Sequence, residues 1–210
     1  MNSAHMRVTV VALAVGMTFS APAARAANIV EEWATVTAPP PPELKPVTLD
    51  PKTTALLMLD FLPPNCGSRP RCVATVAPAK KLLEEARSKG VTVIHSTFGN
   101  NKPTDILKDV APAANEPTVN SFPDKFLNTD LDKMLKEKGI QTVITAGSAA
   151  NGAILYTASG AALRNLKAVV PVDLISAATP YAEQLSTWQL ANGPVFGTNV
   201  TITRSDMIKF

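Results

Sequence analysis

The strongest constraint in this sequence is a run of five apolar residues, Ala55-Leu56-Leu57-Met58-Leu59, that stops at Asp60. A strand with one face in water alternates polar and apolar residues. This run does not alternate, so both of its faces need cover. A parallel sheet with helices on each side provides that. Similar β-rich runs recur at 91–94, 140–146, 166–172 and 200–203. Between them the apolar spacing becomes helical. Val76, Ala79, Leu82, Leu83 and Ala86 share one side of a helix expected over 73–89, which Gly90 stops. Further helices are expected over 129–138, 152–164 and 181–192. The Pro-, Asn- and Asp-rich stretch 98–124 reads as one long loop of the kind that forms lids and binding loops. Strands alternating with helices give an α/β fold with a mostly parallel sheet.

The 210 residues divide by composition into three parts. Residues 1–26 read as a cleaved signal peptide: Arg7 precedes the apolar stretch 8–19, and Ala24-Arg25-Ala26 offers small residues for cleavage. Residues 27–50 read as an extended leader stiffened by Pro39-Pro40-Pro41-Pro42. Residues 51–210 form the folded domain. Removing Arg7 and Arg25 takes the net charge from +3 to +1. A balance that close to neutral argues against a nucleic-acid partner. The signal peptide implies a mature chain in the periplasm or outside the cell, free of the membrane after cleavage. Such a compartment is oxidising, so Cys66 and Cys72, the only cysteines, are expected to pair across Gly-Ser-Arg-Pro.

Ligands of open parallel sheets bind outside the carboxyl ends of the strands. Asp60, the 95–98 segment, the small-residue turn 147–153 and Asp173 all fall at that edge. A carboxyl group at the end of a buried strand loses water, which raises its pKa and suits it to proton transfer. The same carboxylate could equally cap the following loop. Backbone N–H groups at the start of the 152–164 helix could cradle an anion.

Three blocks, in order, carry a family resemblance: TTALLMLDF, then DKFLNTDLDKMLKEKGIQTVITAG, then GSAANGAILYTASGAALR. Together they resemble the isochorismatase-like, or cysteine hydrolase, family over roughly 53–203. The resemblance implies a three-layer αβα domain with a sheet of about six strands, usually oligomeric. Hydrolytic members use an Asp, a Lys and a Cys. The Asp carries over to Asp60. The Cys stands six positions after the strand glycine, which here is Ala153. The family lysine aligns near Asn120, and Lys125 could deliver an ammonium from a shifted backbone position or lie on the surface. The nicotinamidase-type metal site needs two histidines shortly after the first strand. None stands there, so neither a metal nor another cofactor is expected.

The isochorismatase branch also lacks the thiol. Its Asp protonates a vinyl ether, and a His often stands where this chain has Asn151. Asn151 could hold a substrate carbonyl or orient water, or simply serve the turn. The resemblance thus implies catalysis by Asp60 and Lys125, with Asn120, Phe126, Asn151, Gly152 and Ala153 against the substrate. Phe126 could also merely close the core. The implied activity is Asp-dependent, thiol-independent hydrolysis of a small amide, ester or enol ether. Two alternatives share the same residues: an inactive small-molecule-binding protein, and a Cys-to-Ala variant of an amidohydrolase.

Overall fold

The structure, a computed structural model, describes residues 27–194 and 196–210. The expected signal peptide lies outside the described residues. The chain forms two units, divided between Pro39 and Pro40. Among the described residues of the first, Ile29–Glu32 form a short helix, α1. The Asn28 side chain accepts hydrogen bonds from the Val30 and Glu31 amides and so caps it.

The second unit begins with β1 (Val47–Thr48), β2 (Thr54–Leu59), α2 (Pro63–Cys66) and α3 (Pro70–Ser88). β3 (Thr92–Thr97), β4 (Thr118–Asn120), α4 (Leu131–Glu137) and β5 (Thr142–Ser148) follow. The chain ends with α5 (Leu155–Leu163), β6 (Lys167–Pro171), β7 (Ile175–Ser176), α6 (Pro180–Asn192), β8 (Val200–Thr203) and β9 (Ile208–Lys209). Six strands lie in the order β4-β3-β2-β5-β6-β8, and β7 adds to β5 as the seventh. Every pairing is parallel.

Residue parity along the central strands divides the core in two. Ala55, Leu57, Leu59 and Val143 face α4, α5 and α6 through Leu135, Ala158, Ala161 and Leu190. Leu56, Met58, Ile144 and Ala146 face α3 through Ala79, Leu82, Leu83 and Ala86. All six residues of β2 are buried, as its unbroken apolar run requires. The fold is therefore the three-layer αβα arrangement with a parallel central sheet.

Three local features depart from the sequence reading. The stretch expected as one loop over 98–124 contains β4, which joins the edge of the sheet beside β3. The fold also starts earlier than residue 51. β1 pairs with β9, and the Lys45 and Leu49 amides bond to the carbonyls of Ile202 and Lys209. The start of the helix expected over 152–164 is a wide turn over Ala150–Ile154, with regular α-helix only from Leu155. Cys66 and Cys72 are disulfide-bonded and join α2 to α3.

The chain runs outward from β2 to β3 and β4, then returns to the other side of β2 with β5. That reversal puts the topological switch point, where ligands of open parallel sheets bind, at the carboxyl ends of β2 and β5. Gly147 allows the two strands to meet there. Its φ is +141°, and a Cβ at this position would lie 1.8 Å from the Leu59 carbonyl oxygen. Gly147→Ala is expected to cost on the order of 4 kcal/mol, because the opposing atoms are backbone. Gly139→Ala, with φ +64° but nothing within 4 Å of the added carbon, should cost about 1–2 kcal/mol. Chemical denaturation of both variants measures the difference. Equal losses would refute a steric role for Gly147.

Candidate active site

Asp60 follows the last residue of β2 and takes a left-handed backbone, φ +54°. Continued strand alternation would send its side chain to the α3 face, opposite Leu59. The turn brings the carboxylate to the face that carries Ser96, the register partner of Leu59 on β3. Ser96 Oγ donates to Asp60 Oδ1 at 2.6 Å. The Lys125 ammonium lies 2.8 Å from Asp60 Oδ2. Asp60 is 4% exposed and Lys125 is 0% exposed.

Of the alternatives left open by its spacing, Lys125 thus reaches the carboxylate and does not lie on the surface. Its ammonium also donates to the carbonyls of Ser121 at 2.6 Å and Thr97 at 3.3 Å. The backbone around it is held by α5. Its amide donates to Thr157 Oγ1, and Thr129 Oγ1 donates to its carbonyl. Helix α5 is built from small residues, and this allows the close approach. A Cβ on Gly160 would fall 3.0 Å from the Phe126 ring and 3.1 Å from Asp124 Oδ1. An Ala- and Gly-rich helix back is therefore what lets the 121–129 segment carry Lys125 over the end of β2.

Burial dominates the titration of both partners. It raises the Asp60 carboxyl above its ordinary value, although Lys125 and the hydrogen bond from Ser96 oppose the shift. It lowers Lys125, with Asp60 opposing. Each group is pushed toward its neutral form, which narrows the gap between their proton affinities.

The remaining candidates fall differently. Asn120 spends its amide protons on Thr97 Oγ1 and the carbonyls of Gly99 and Asn101, so it fastens the loop after β3. Phe126 belongs to the core. It is 5% exposed and carries the Arg164 guanidinium 4.3 Å above its ring. Of the two readings left open for it, the ring takes the packing one. The Asn151 side chain is exposed on the turn and makes no hydrogen bond to the described residues. The Gly152 amide is not free for an anion, because it donates to the Ala149 carbonyl at 3.0 Å. Ala153, which the resemblance aligns with the family thiol, is buried. The peptide joining Ser148 to Ala149 just before this turn is cis.

His95 and Asp173 are engaged elsewhere. His95 is wholly buried, with Nε2 2.9 Å from Glu116. Burial acts to raise Glu116, but Arg87, the Ala113 amide and His95 hold it at about 2. This network ties α3 to the loop before β4. Asp173 accepts from the Ser205 amide and hydroxyl, and so anchors the turn before β9. A groove of about 410 Å³ opens beside the start of α3, between Arg71, Asp173 and Glu183, and neither Asp60 nor Lys125 lines it. No group of three or more His, Cys, Asp or Glu among the described residues is placed to hold a metal. Ser96 was missed in the sequence. Its signal was a pair of hydroxyl residues, Ser96-Thr97, at the end of the strand next to the one ending in Asp60.

Removing the ammonium should expose the cost of the buried carboxylate. Lys125→Met is expected to destabilise the protein by roughly 3–5 kcal/mol near neutral pH. The folded state holds the Asp60 proton more tightly than the unfolded one. Stability of the variant must therefore fall as pH rises from the unfolded value through the raised folded value, and return as pH is lowered. Denaturation curves across that range test the sign. A loss that grows on acidification would refute it.

The comparisons with known proteins agree with this architecture. The isochorismatase domain family matches residues 54–204. A cysteine hydrolase from Pseudomonas syringae pv. phaseolicola 1448A superposes with a TM-score of 0.67 at 21% identity, covering 79% of this chain and 94% of that one. N-carbamoylsarcosine amidase from Thermoplasma acidophilum gives 0.62 at 24% identity, covering 73% and 97%. The pyrazinamidase/nicotinamidase of Streptococcus mutans UA159 gives 0.63 at 17% identity, covering 71% and 99%. At these identities the structures show a shared fold. A search of curated protein sequences returns no significant match. The family match spans most of the chain and includes every strand of the central sheet, so this protein belongs to the isochorismatase family of hydrolases.

Proposed function

We propose that this chain hydrolyses a small amide, ester or enol ether by acid–base chemistry at Asp60, without a thiol nucleophile, after export from the cytoplasm. One observation carries the reading. A buried Asp60–Lys125 pair stands at the switch point of the sheet in a chain whose only two cysteines are bonded to each other. Neither sulfur is a thiolate, and the position aligned with the family nucleophile is Ala153. Proton transfer is what remains. In this reading Asp60 gives a proton to the substrate and recovers one from the attacking water. Lys125 sets the resting charge of the carboxyl, and Ser96 orients it. Asn151 contacts the substrate from the exposed turn.

Asp60→Asn should lower turnover by about 10²–10⁴-fold on whichever member of a panel of small amides, esters and enol ethers the wild type consumes. Asn also leaves the Lys125 ammonium without a counter-charge, so the variant is expected to melt lower. The double variant Asp60→Asn/Lys125→Met separates that loss from catalysis, since it should regain stability and stay inactive. Full turnover by Asp60→Asn would end the proposal.

The near-complete burial of the pair favours a second reading, a small-molecule-binding protein on the same scaffold. Thermal shifts by members of the panel, with no product detected by mass spectrometry, would favour it over hydrolysis. Ala153→Cys distinguishes a third case. Amidase activity gained with alkylation of the new thiol would mark the chain as a thiol hydrolase that lacks its nucleophile.

A further inference from the structure

Asn65, in α2, takes no part in the reading above, yet it touches both sides of the switch point. Its Nδ2 lies 3.0 Å from the Asp60 carbonyl oxygen and 3.1 Å from the Ser148 carbonyl oxygen. Asp60 directly follows β2, and Ser148 ends β5. The two strands are neighbours, but 83 residues separate Asn65 from Ser148 along the chain. Both acceptors are carbonyls, so only the NH₂ end of the side chain can face them, and it has one proton for each. We infer that Asn65 is a positioning residue that clamps the carboxyl ends of β2 and β5 at the point where the sheet reverses direction, and thereby fixes the aim of the Asp60 carboxylate.

The surroundings support the assignment. Past Leu59 the β2–β5 pairing ends, so Asp60 is beyond the reach of the ladder. Its left-handed backbone, φ +54°, is unfavourable for an L-residue unless the surroundings hold it. The Asp60 carbonyl accepts from the Leu62 amide at 2.8 Å as well as from Asn65, and this fixes the peptide that follows the turn. Asn65 is itself held. The next residue, Cys66, is bonded to Cys72 in α3, and Pro63 and Pro64 stiffen the approach. The clamp thus links the disulfide to the carboxylate through one side chain.

The inference rests on Asp60 being the working acid–base group, and its test reads that group directly. In protein carrying ¹³C-labelled aspartate, the Asp60 carboxyl signal is identified by its loss in Asp60→Asn. Asn65→Ala should displace its titration midpoint upward by about one pH unit, because the carboxylate drifts from Lys125. Asn65→Ser keeps one donor and should shift it less. On a turned-over substrate kcat should fall about 10–100-fold with KM little changed. A lowered melting temperature with an unmoved midpoint would make Asn65 merely structural and overturn the inference. If neither variant folds, the wild type decides. Both Asn65 side-chain amide protons should exchange slowly with deuterated solvent, and exchange at the rate of a free amide overturns the clamp. The two readings fail separately. Turnover retained in Asp60→Asn refutes the role of Asp60 alone, and an unmoved titration in the Asn65 variants refutes the clamp alone.

Discussion

The ion pair between Asp60 and Lys125 is the interaction on which the site depends. Two opposite charges withdrawn from water attract strongly, but each loses hydration worth several kcal/mol. Here the attraction does not fully offset that loss, since burial still moves both groups toward neutrality. Such a pair adds little to folding. In the proposed function its value is proton affinity held where a bound substrate could draw on it. The other polar groups act to keep the pair single and aimed. Ser96 occupies one carboxylate oxygen and Lys125 the other, while the Thr97 and Ser121 carbonyls take up further ammonium protons. Ser96 and Thr97 come from one strand and Ser121 from the loop after the next, so assembling the pair requires the sheet to be complete.

The sheet can be completed only because β2 and β5 touch at their ends. Gly147 removes the one side-chain carbon that would collide with the Leu59 carbonyl. The same residue opens the turn that leads to Ala153. Close strand contact and the start of that turn therefore have one cause. The disulfide lies on the α3 side of this junction and holds α2 in place, a local restraint across a short loop and not a staple for the whole fold.

Most of the architecture was legible in the sequence because the central strands are covered on both faces. Full burial writes itself as unbroken apolar runs, and Gly90 and Gly139 mark where the intervening helices stop. β4 was not legible. Three residues in a Pro- and Asn-rich stretch carry no periodicity, and they become a strand only because β3 offers a free edge. β1 and β9 are two residues each and exist only through each other. At the site, Asp60 could be read from its place at the end of a strand. Lys125 could be read as a candidate but not as a contact, because its reach depends on the smallness of α5. Gly152 looked like a free helix-start amide, and the wide turn over 150–154 consumes it locally. Phe126 looked like a loop aromatic, yet a cation and a helix cover its ring. Asn65 carried no signal at all, since a Pro-Pro-Asn-Cys turn does not show which strand ends will meet it.

The hydrogen at Gly160 has a consequence for how such a site can diverge. The 121–129 segment rests on α5 with Phe126 and Asp124 at the limit of contact. A side chain at 160 would lift that segment, and the ammonium of Lys125 would travel with it, although residue 160 touches neither charge. Substitutions at 160 and 126 are then not independent. A larger residue at one is tolerable only with a smaller one at the other, and a lineage could reach a new lysine placement only by passing through both. The reach of the Lys125 ammonium is set by a coupled pair of packing positions behind it, where placement of the charge and stability of the fold depend on the same atoms.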